Sequence, residues 1–156
     1  MSTSSEIEAF WAAACAANPG LSGPYRVKQL TTNRELGDHL LKRITGGLKL
    51  GTIGLPWLHG REPGTAPVTG QLLLYTDADH KPRALVRQKK PEFVAFGDVN
   101  DSHTAVEGQG SAAREAATWR KIHEPHYTAQ LQAAGLTLNA DTPVVVERFE
   151  LIYPKT

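Results

Sequence analysis

The stretch "GGLKLGTIGL", residues 46–55, decides how the chain is read. It follows "TTNRELGDHLLKRIT" (31–45), where Leu36, Leu40, Leu41 and Ile44 recur at helical spacing behind Thr32 or Asn33 as the cap. Gly46 and Gly47 end that helix, because glycine readily takes the left-handed conformation that closes a helix C-terminus. From Leu48 to about Val94 the period changes. "LKLGTIGL", "GQLLLYTD" and "PRALVRQKK" are short, partly alternating segments, separated by "PWLHGREPGTAPVTG" and "DADHKP". These are strands joined by turns. They predict a small β-barrel or curled sheet of about five to six strands.

Working outward, Ser5 and Glu8 open "SEIEAFWAAACAAN", with Ile7, Phe10, Trp11, Ala14 and Cys15 at helical spacing, closed by Asn18, Pro19 and Gly20. Residues 1–5 read as a flexible tail. "LSGPYRVKQL" carries loop punctuation and then an extended piece. "FGDVNDSHTAVEGQGSAAREAATWRKIHEPHYTAQLQAAG" (96–135) is helical in composition and interrupted at Gly-Gln-Gly. "TPVVVERFELIY" (142–153) reads as a last strand, rich in β-branched and aromatic residues, with Glu147 interrupting the apolar face of Val145, Phe149, Leu151 and Tyr153. The expected class is α+β, with helices at the N-terminus and before the last strand.

At 156 residues and 40% apolar content, the chain has room for one core, and a single domain over 1–156 is expected. A formal charge of +1 argues against a whole-molecule electrostatic clamp for long nucleic acid or an anionic membrane. One cysteine, Cys15, excludes an internal disulfide and a Cys-rich zinc cage. With no basic-then-apolar leader and no apolar run near the roughly 20 residues of a membrane span, the chain reads as cytoplasmic.

Several side chains could carry chemistry. Lys49 follows a double glycine and enters an apolar strand; in a cleft, desolvation would lower its pKa from about 10.4 and make it a usable base. Thr52 needs such a base before its hydroxyl attacks anything. Positions three apart on a regular strand face opposite sides, so the two converge only across a turn or bulge, which Gly51 permits. "HTAVEGQG" sets His103 and Glu107 four apart, with Gly108 and Gly110 allowing close backbone approach. "WRKIHEPHY" collects Trp119, Arg120, His123 and Tyr127, the aromatics reading as core or as base-stacking platforms. His123 and His126 lack a partner at a metal-binding spacing, so no metal site is expected. The run with Arg83, Arg87, Lys89 and Lys90 is a solvated strand edge or a modest phosphate patch.

The order of "FW" and "NPG", "GLKLGT", "PVTGQLLLYTD" with Pro82, "FGDVNDSHTAVEGQG", "WRKIHEPHY" and "VVVERFELIY" resembles the ASCH family in its longer form, over residues 6 to 153. The resemblance implies a barrel like that of the PUA RNA-binding fold, with a cleft suited to a nucleoside or RNA. Some ASCH members hydrolyse the amide of N4-acetylcytidine with a lysine and threonine of a Gly-x-Lys-x-x-Thr segment and a glutamate four residues after a histidine. Gly47, Lys49 and Thr52 match the first segment; His103 and Glu107 match the second. The resemblance thus implies Lys49, Thr52 and Glu107 as catalytic. Gly47, His103, Gly108, Gly110, Trp119, Arg120, His123, Trp57 and Tyr75 are the accompanying ligand-binding candidates, and amides near Gly108 to Gly110 are candidate oxyanion donors. Many relatives read Gly-Lys-Lys-Thr-Ala-Thr, so Leu48, Leu50 and Gly51 make this site less polar. Gln109 stands where an acidic residue is common. Two functions follow: an N4-acylcytidine or N4-acylcytosine amidohydrolase without cofactor, or a single-stranded RNA binder, with metal-assisted endoribonuclease activity as a variant. The expected partner is a small nucleoside or short RNA, with no membrane involved.

Overall fold

The computed structural model describes residues 3–56 and 68–155, which fall into two compact units. Unit 1 comprises Met1–Lys49, Val68–Lys89 and Phe149–Thr156; unit 2 comprises Leu50–Pro67 and Lys90–Arg148. The class is mixed α+β, as expected. No described helix is long and apolar enough to cross a membrane.

In unit 1, α1 (Thr3–Ala17) is followed by β1 (Tyr25–Gln29), α2 (Arg34–Thr45), β3 (Leu72–Thr76) and β4 (Pro82–Gln88). The first helix starts at Thr3, so residues 3–5 are helical where a tail was expected; serine and threonine are favoured at helix starts, and the boundary is soft by a residue or two. β1 runs parallel to β3, Tyr25 opposite Leu72, and β3 runs antiparallel to β4, Leu72 opposite Arg87. The run "LLLY" of β3 is apolar without alternation because both sheet faces are covered. Leu72, Leu74 and Leu85 pack with Ala14 of α1, whereas Tyr75, Ala84 and Val86 pack with Leu41 and Ile44 of α2. Leu36, expected on that buried helical face, is 46% exposed, and Gly37 is buried in its place. Thr31 explains why: a Cβ on Gly37 would come within 3.1 Å of its methyl group.

In unit 2, β2 (Gly51–Gly54) and β5 (Glu92–Ala95) both pair antiparallel with the first half of β6 (Pro143–Tyr153). Between β5 and β6 come a 3-10 turn (Phe96–Asp98), the short helix α3 (Asp101–Thr104), two further 3-10 turns (Ala105–Glu107 and Ala112–Arg114) and α4 (Ala116–Ala133). The core joins Ile53 and Leu55, Phe96, Val106, Trp119, Tyr127, Leu131, Val144 and Val146.

β6 is one continuous strand whose second half pairs with β4 in unit 1. Six strands are thereby linked in the order β1-β3-β4-β6-β2, with β5 also on β6. The pairings among the described residues run as an open path from β1 to β2, so they do not show the closed barrel expected from sequence.

Candidate functional site

The two glycines after α2 form a Schellman closure. Gly46 stays right-handed and Gly47 turns left-handed at φ 78°. The Gly47 N–H then donates to the Ile44 carbonyl at 3.1 Å and the Leu48 N–H to Arg43 at 2.9 Å, satisfying carbonyls the helix end would leave orphaned. The Lys49 N–H donates to the same Arg43 carbonyl at 3.0 Å. The double glycine therefore fixes the backbone direction of Lys49 as well as ending a helix. The outcome inverts hydropathy: Leu48 and Leu50 are 43% and 52% exposed, while Lys49 between them is 6% exposed.

Lys49 is the last residue of the first segment of unit 1; Thr52 and Glu107 belong to unit 2. There the entry to β2 is clamped twice. The Leu50 N–H donates to the Val106 carbonyl at 2.8 Å, which fastens it beside Glu107. Gly51 lies against β6 so closely that a Cβ would stand 2.4 Å from the Glu147 carbonyl oxygen. Thr52 is consequently held directly opposite Glu147, and opposed residues of an antiparallel pair have Cβ atoms about 4.5–5.5 Å apart on one face. Glu147 is 7% exposed, a carboxylate buried within a strand. Tyr127 of α4 donates its phenolic hydroxyl to the Ile53 carbonyl at 3.0 Å. Burial raises the Tyr127 pKa well above its ordinary value, and the nearby Glu107 and Glu147 carboxylates raise it further. Unit 2 thus gathers one hydroxyl nucleophile candidate, two carboxylates and a neutral phenol.

His103 holds the turn that carries Glu107. Its Nδ1 accepts the Asn100 N–H at 3.0 Å in a capping box, which puts the proton on Nε2 for donation to Glu92 at 3.2 Å. Glu92 also accepts from Arg148 at 2.9 Å, and that bond, with the His103 ring alongside, holds its carboxyl below the usual range. Both His103 nitrogens are engaged in positioning. Gly108 and Gly110 have φ of 80° and 81°, the left-handed region where glycine is favoured. The Gly108 N–H donates to the Ala105 carbonyl at 3.0 Å, so this amide, a candidate oxyanion donor from sequence, is already engaged.

The remaining candidates disperse. Trp119 is 0% exposed, stacks on His123 with centroids 4.8 Å apart, and meets Phe96 and Tyr127 edgewise or tilted. It is a core residue of unit 2, with no surface for a base, and its indole N–H has no partner among the described residues. Arg120 donates to the Val99 carbonyl at 2.6 Å, and the His123 Nδ1 to the Trp119 carbonyl at 2.9 Å. Tyr75 is 4% exposed in the core of unit 1, edgewise to Phe149, which removes it as a stacking platform. Gly47 serves the helix closure. Trp57 lies outside the described residues. Among the described residues no three His, Cys, Asp or Glu side chains gather as a metal-binding group.

Sequence reasoning does not single out Glu147 and Tyr127, which the structure sets beside the Thr52 strand. The signal for Glu147 was present: an acid interrupting an otherwise apolar strand face needs a reason, and burial supplies one.

The ASCH domain model matches residues 27–153. No curated protein matches the chain significantly. An ASCH domain structure from Lactobacillus crispatus JV V101 is similar at TM-score 0.79 and 17% identity, covering 96% of each chain. A protein structure from Enterococcus faecalis V583 is similar at TM-score 0.74 and 22% identity, covering 96% of this chain and 91% of its own. With the likeness of fold and a family match over most of its length, this chain belongs to the ASCH domain family.

Proposed function

We propose that the protein is an amidohydrolase acting on N4-acylcytidine or N4-acylcytosine, with Lys49, Thr52 and Glu107 as its catalytic residues and Glu147 as an added carboxylate. The observation that carries this reading is the pairing of Thr52 with the buried Glu147, on a strand entry fastened beside Glu107. A hydroxyl opposite a buried carboxylate suits acyl transfer, because a proton acceptor is at hand. The burial of Lys49 three residues earlier supports its role as base.

In this scheme the Thr52 hydroxyl gives its proton to the amine of Lys49 and its oxygen bonds to the acyl carbon. The carbon–nitrogen bond breaks, and the departing N4 takes a proton returned through Lys49 with Glu107 holding the amine in line. Water, deprotonated by the same lysine, then adds to the acyl carbon, the bond from that carbon to the Thr52 oxygen breaks, the lysine returns the proton to the Thr52 oxygen, and the acid leaves as its carboxylate, releasing its own proton to solvent. Tyr127 remains a neutral donor throughout, consistent with the direction of its pKa.

The base-stacking version of the RNA-binding alternative loses two of its platforms, since Trp119 and Tyr75 have buried rings. The covalent step is tested by mixing enzyme with N4-acetylcytidine, quenching in acid and mapping peptides by mass spectrometry. An acetyl group on Thr52, absent in Thr52→Ala, is expected. Turnover by Thr52→Ala at the wild-type rate would eliminate threonine as nucleophile.

A further inference from the structure

The proposed reaction gives Glu107 a task but none to His103, its companion in "HTAVEGQG". His103 is buried, and both of its ring nitrogens are bonded: Nδ1 accepts the Asn100 N–H at 3.0 Å and Nε2 donates to Glu92 Oε2 at 3.2 Å. The other oxygen of that carboxylate accepts from Arg148 Nη1 at 2.9 Å. Each Glu92 oxygen thus has its own donor, which fixes the carboxylate in rotation as well as position. At 45% exposure of the Glu92 side chain these bonds add little to stability, so their consequence is geometric.

The strand register says which face carries them. Glu92 stands opposite Val146, and Arg148 lies two residues further along β6, so both side chains share the Val146 face. That face meets the core of unit 2 through Val144, Val146 and Ile53. Thr52 and Glu147 take the alternate positions and share the opposite face. His103, bound to Glu92 on the core face, therefore bears on Thr52 through the backbone. The contacts close into a ring. Arg148 is the β6 partner of Gly51, where a Cβ would stand 3.0 Å from the Arg148 Cα. One residue back, the Leu50 N–H donates to the Val106 carbonyl at 2.8 Å. Val106 sits in the 3-10 turn that begins directly after α3, the helix of His103. The ring runs from β2 through Arg148, Glu92, His103 and Val106 back to β2. Thr52 adjoins it at Gly51, and Glu107 adjoins it at Val106.

We infer that His103, Glu92 and Arg148 are positioning residues: they form a brace that sets Glu107 relative to Thr52, with the His103 ring neutral and its proton on Nε2. The inference deepens the hydrolase reading, and its kinetic arm rests on that reading. The proton's place follows from the donors, since a ring protonated at Nδ1 has no lone pair there for the Asn100 N–H. Breaking the brace leaves the turn tied to β2 through Leu50, so Glu107 shifts while the fold persists.

The test compares wild type with His103→Gln, His103→Leu, Arg148→Met and the double variant His103→Leu/Arg148→Met, in kinetics on N4-acetylcytidine and in NMR. Glutamine can accept the Asn100 N–H as in a capping box and donate to Glu92, so it should keep kcat within about threefold. Leucine can do neither, and a misplacement near 1 Å should lower kcat by roughly 10- to 100-fold with KM little changed. Arg148→Met, at a 34% exposed side chain on the face away from Thr52, should lower kcat in the same sense. Because the brace acts in series, the double variant should be no slower than His103→Leu. Two readouts need no turnover: nitrogen NMR of the wild-type imidazole should show Nε2 protonated and Nδ1 bare at neutral pH, and the Glu107 amide resonance should move in Arg148→Met. A proton on Nδ1, an unmoved Glu107 amide, additive losses in the double variant, or equal rates for the glutamine and leucine variants would each overturn the brace. An inactive wild type with its proton on Nε2 and a Glu107 amide that moves would sink the hydrolase reading and uphold the brace.

Discussion

Gly51→Ala tests whether the approach of β2 to β6 builds the site. The added Cβ would lie 2.4 Å from the Glu147 carbonyl oxygen and 3.0 Å from the Arg148 Cα. Real Cβ atoms essentially never come within 3.0 Å, so one strand must retreat by at least 3.0 − 2.4 = 0.6 Å. The opposing atoms are backbone in a paired strand, so no side chain can swing aside. Overpacking of this kind costs about 1–3 kcal/mol, and the upper half of that range is expected. It is offset in part by about 0.4–1 kcal/mol from the lower unfolded-state entropy of alanine. Gly54→Ala is the matched control: it lies on the same strand, its added Cβ meets nothing within 4 Å among the described residues, and it has no positive φ. Urea melts should give a loss for Gly51→Ala and no loss, or a small gain, for Gly54→Ala. Because Thr52 is the next residue, a shift approaching 1 Å should also lower turnover by up to roughly 100-fold. Equal stability of the two variants would refute the close-approach argument.

Trp119→Ala, which empties a 0% exposed site ringed by Phe96, His123 and Tyr127, should cost about 3–5 kcal/mol in the same melts. Near-wild-type stability would place the indole outside the core. For Tyr127 the folded pKa is raised above the ordinary value of 10.0, so its contribution is intact below pH 10 and is lost as pH rises further, because the unfolded phenol ionises first. Wild type should lose up to about 1.4 kcal/mol per pH unit there relative to Tyr127→Phe, and parallel stability profiles would contradict it. Glu92 is shifted the other way, by Arg148 first, so it stabilises at neutral pH and loses that effect as pH falls through the depressed carboxylate range. Its side chain is 45% exposed, so Glu92→Gln should cost less than about 1 kcal/mol at pH 7, with the difference closing in acid.

The parts of this fold legible in the sequence are those where local chemistry dominates. Asn33 caps α2 by accepting the Leu36 N–H at 2.9 Å, and Gly47 takes the left-handed turn, both readable from spacing and residue type. β6 was legible from composition. Its burial was not: Val144, Val145 and Val146 are all 0% exposed, so alternation fails where partners cover both faces. β5 was lost inside a longer β-rich region, because Phe93 at 62% exposure and Glu92 give no inward pattern. Among the candidate site residues, Lys49 and Glu107 are suggested by motif. Glu147 needed the β2–β6 register, and Tyr127 needed the hydroxyl's contact with Ile53; both are long-range facts that spacing along one chain does not encode.

The most direct test of the central claim is an absorbance assay of the purified protein on N4-acetylcytidine, run beside Lys49→Ala with both melting temperatures recorded. The account predicts turnover by the wild type that vanishes in a variant melting within a few degrees of it. Turnover that survives Lys49→Ala, or none from the wild type at high enzyme concentration, would contradict it. The latter result would move the function toward single-stranded RNA, where binding should weaken steeply with salt.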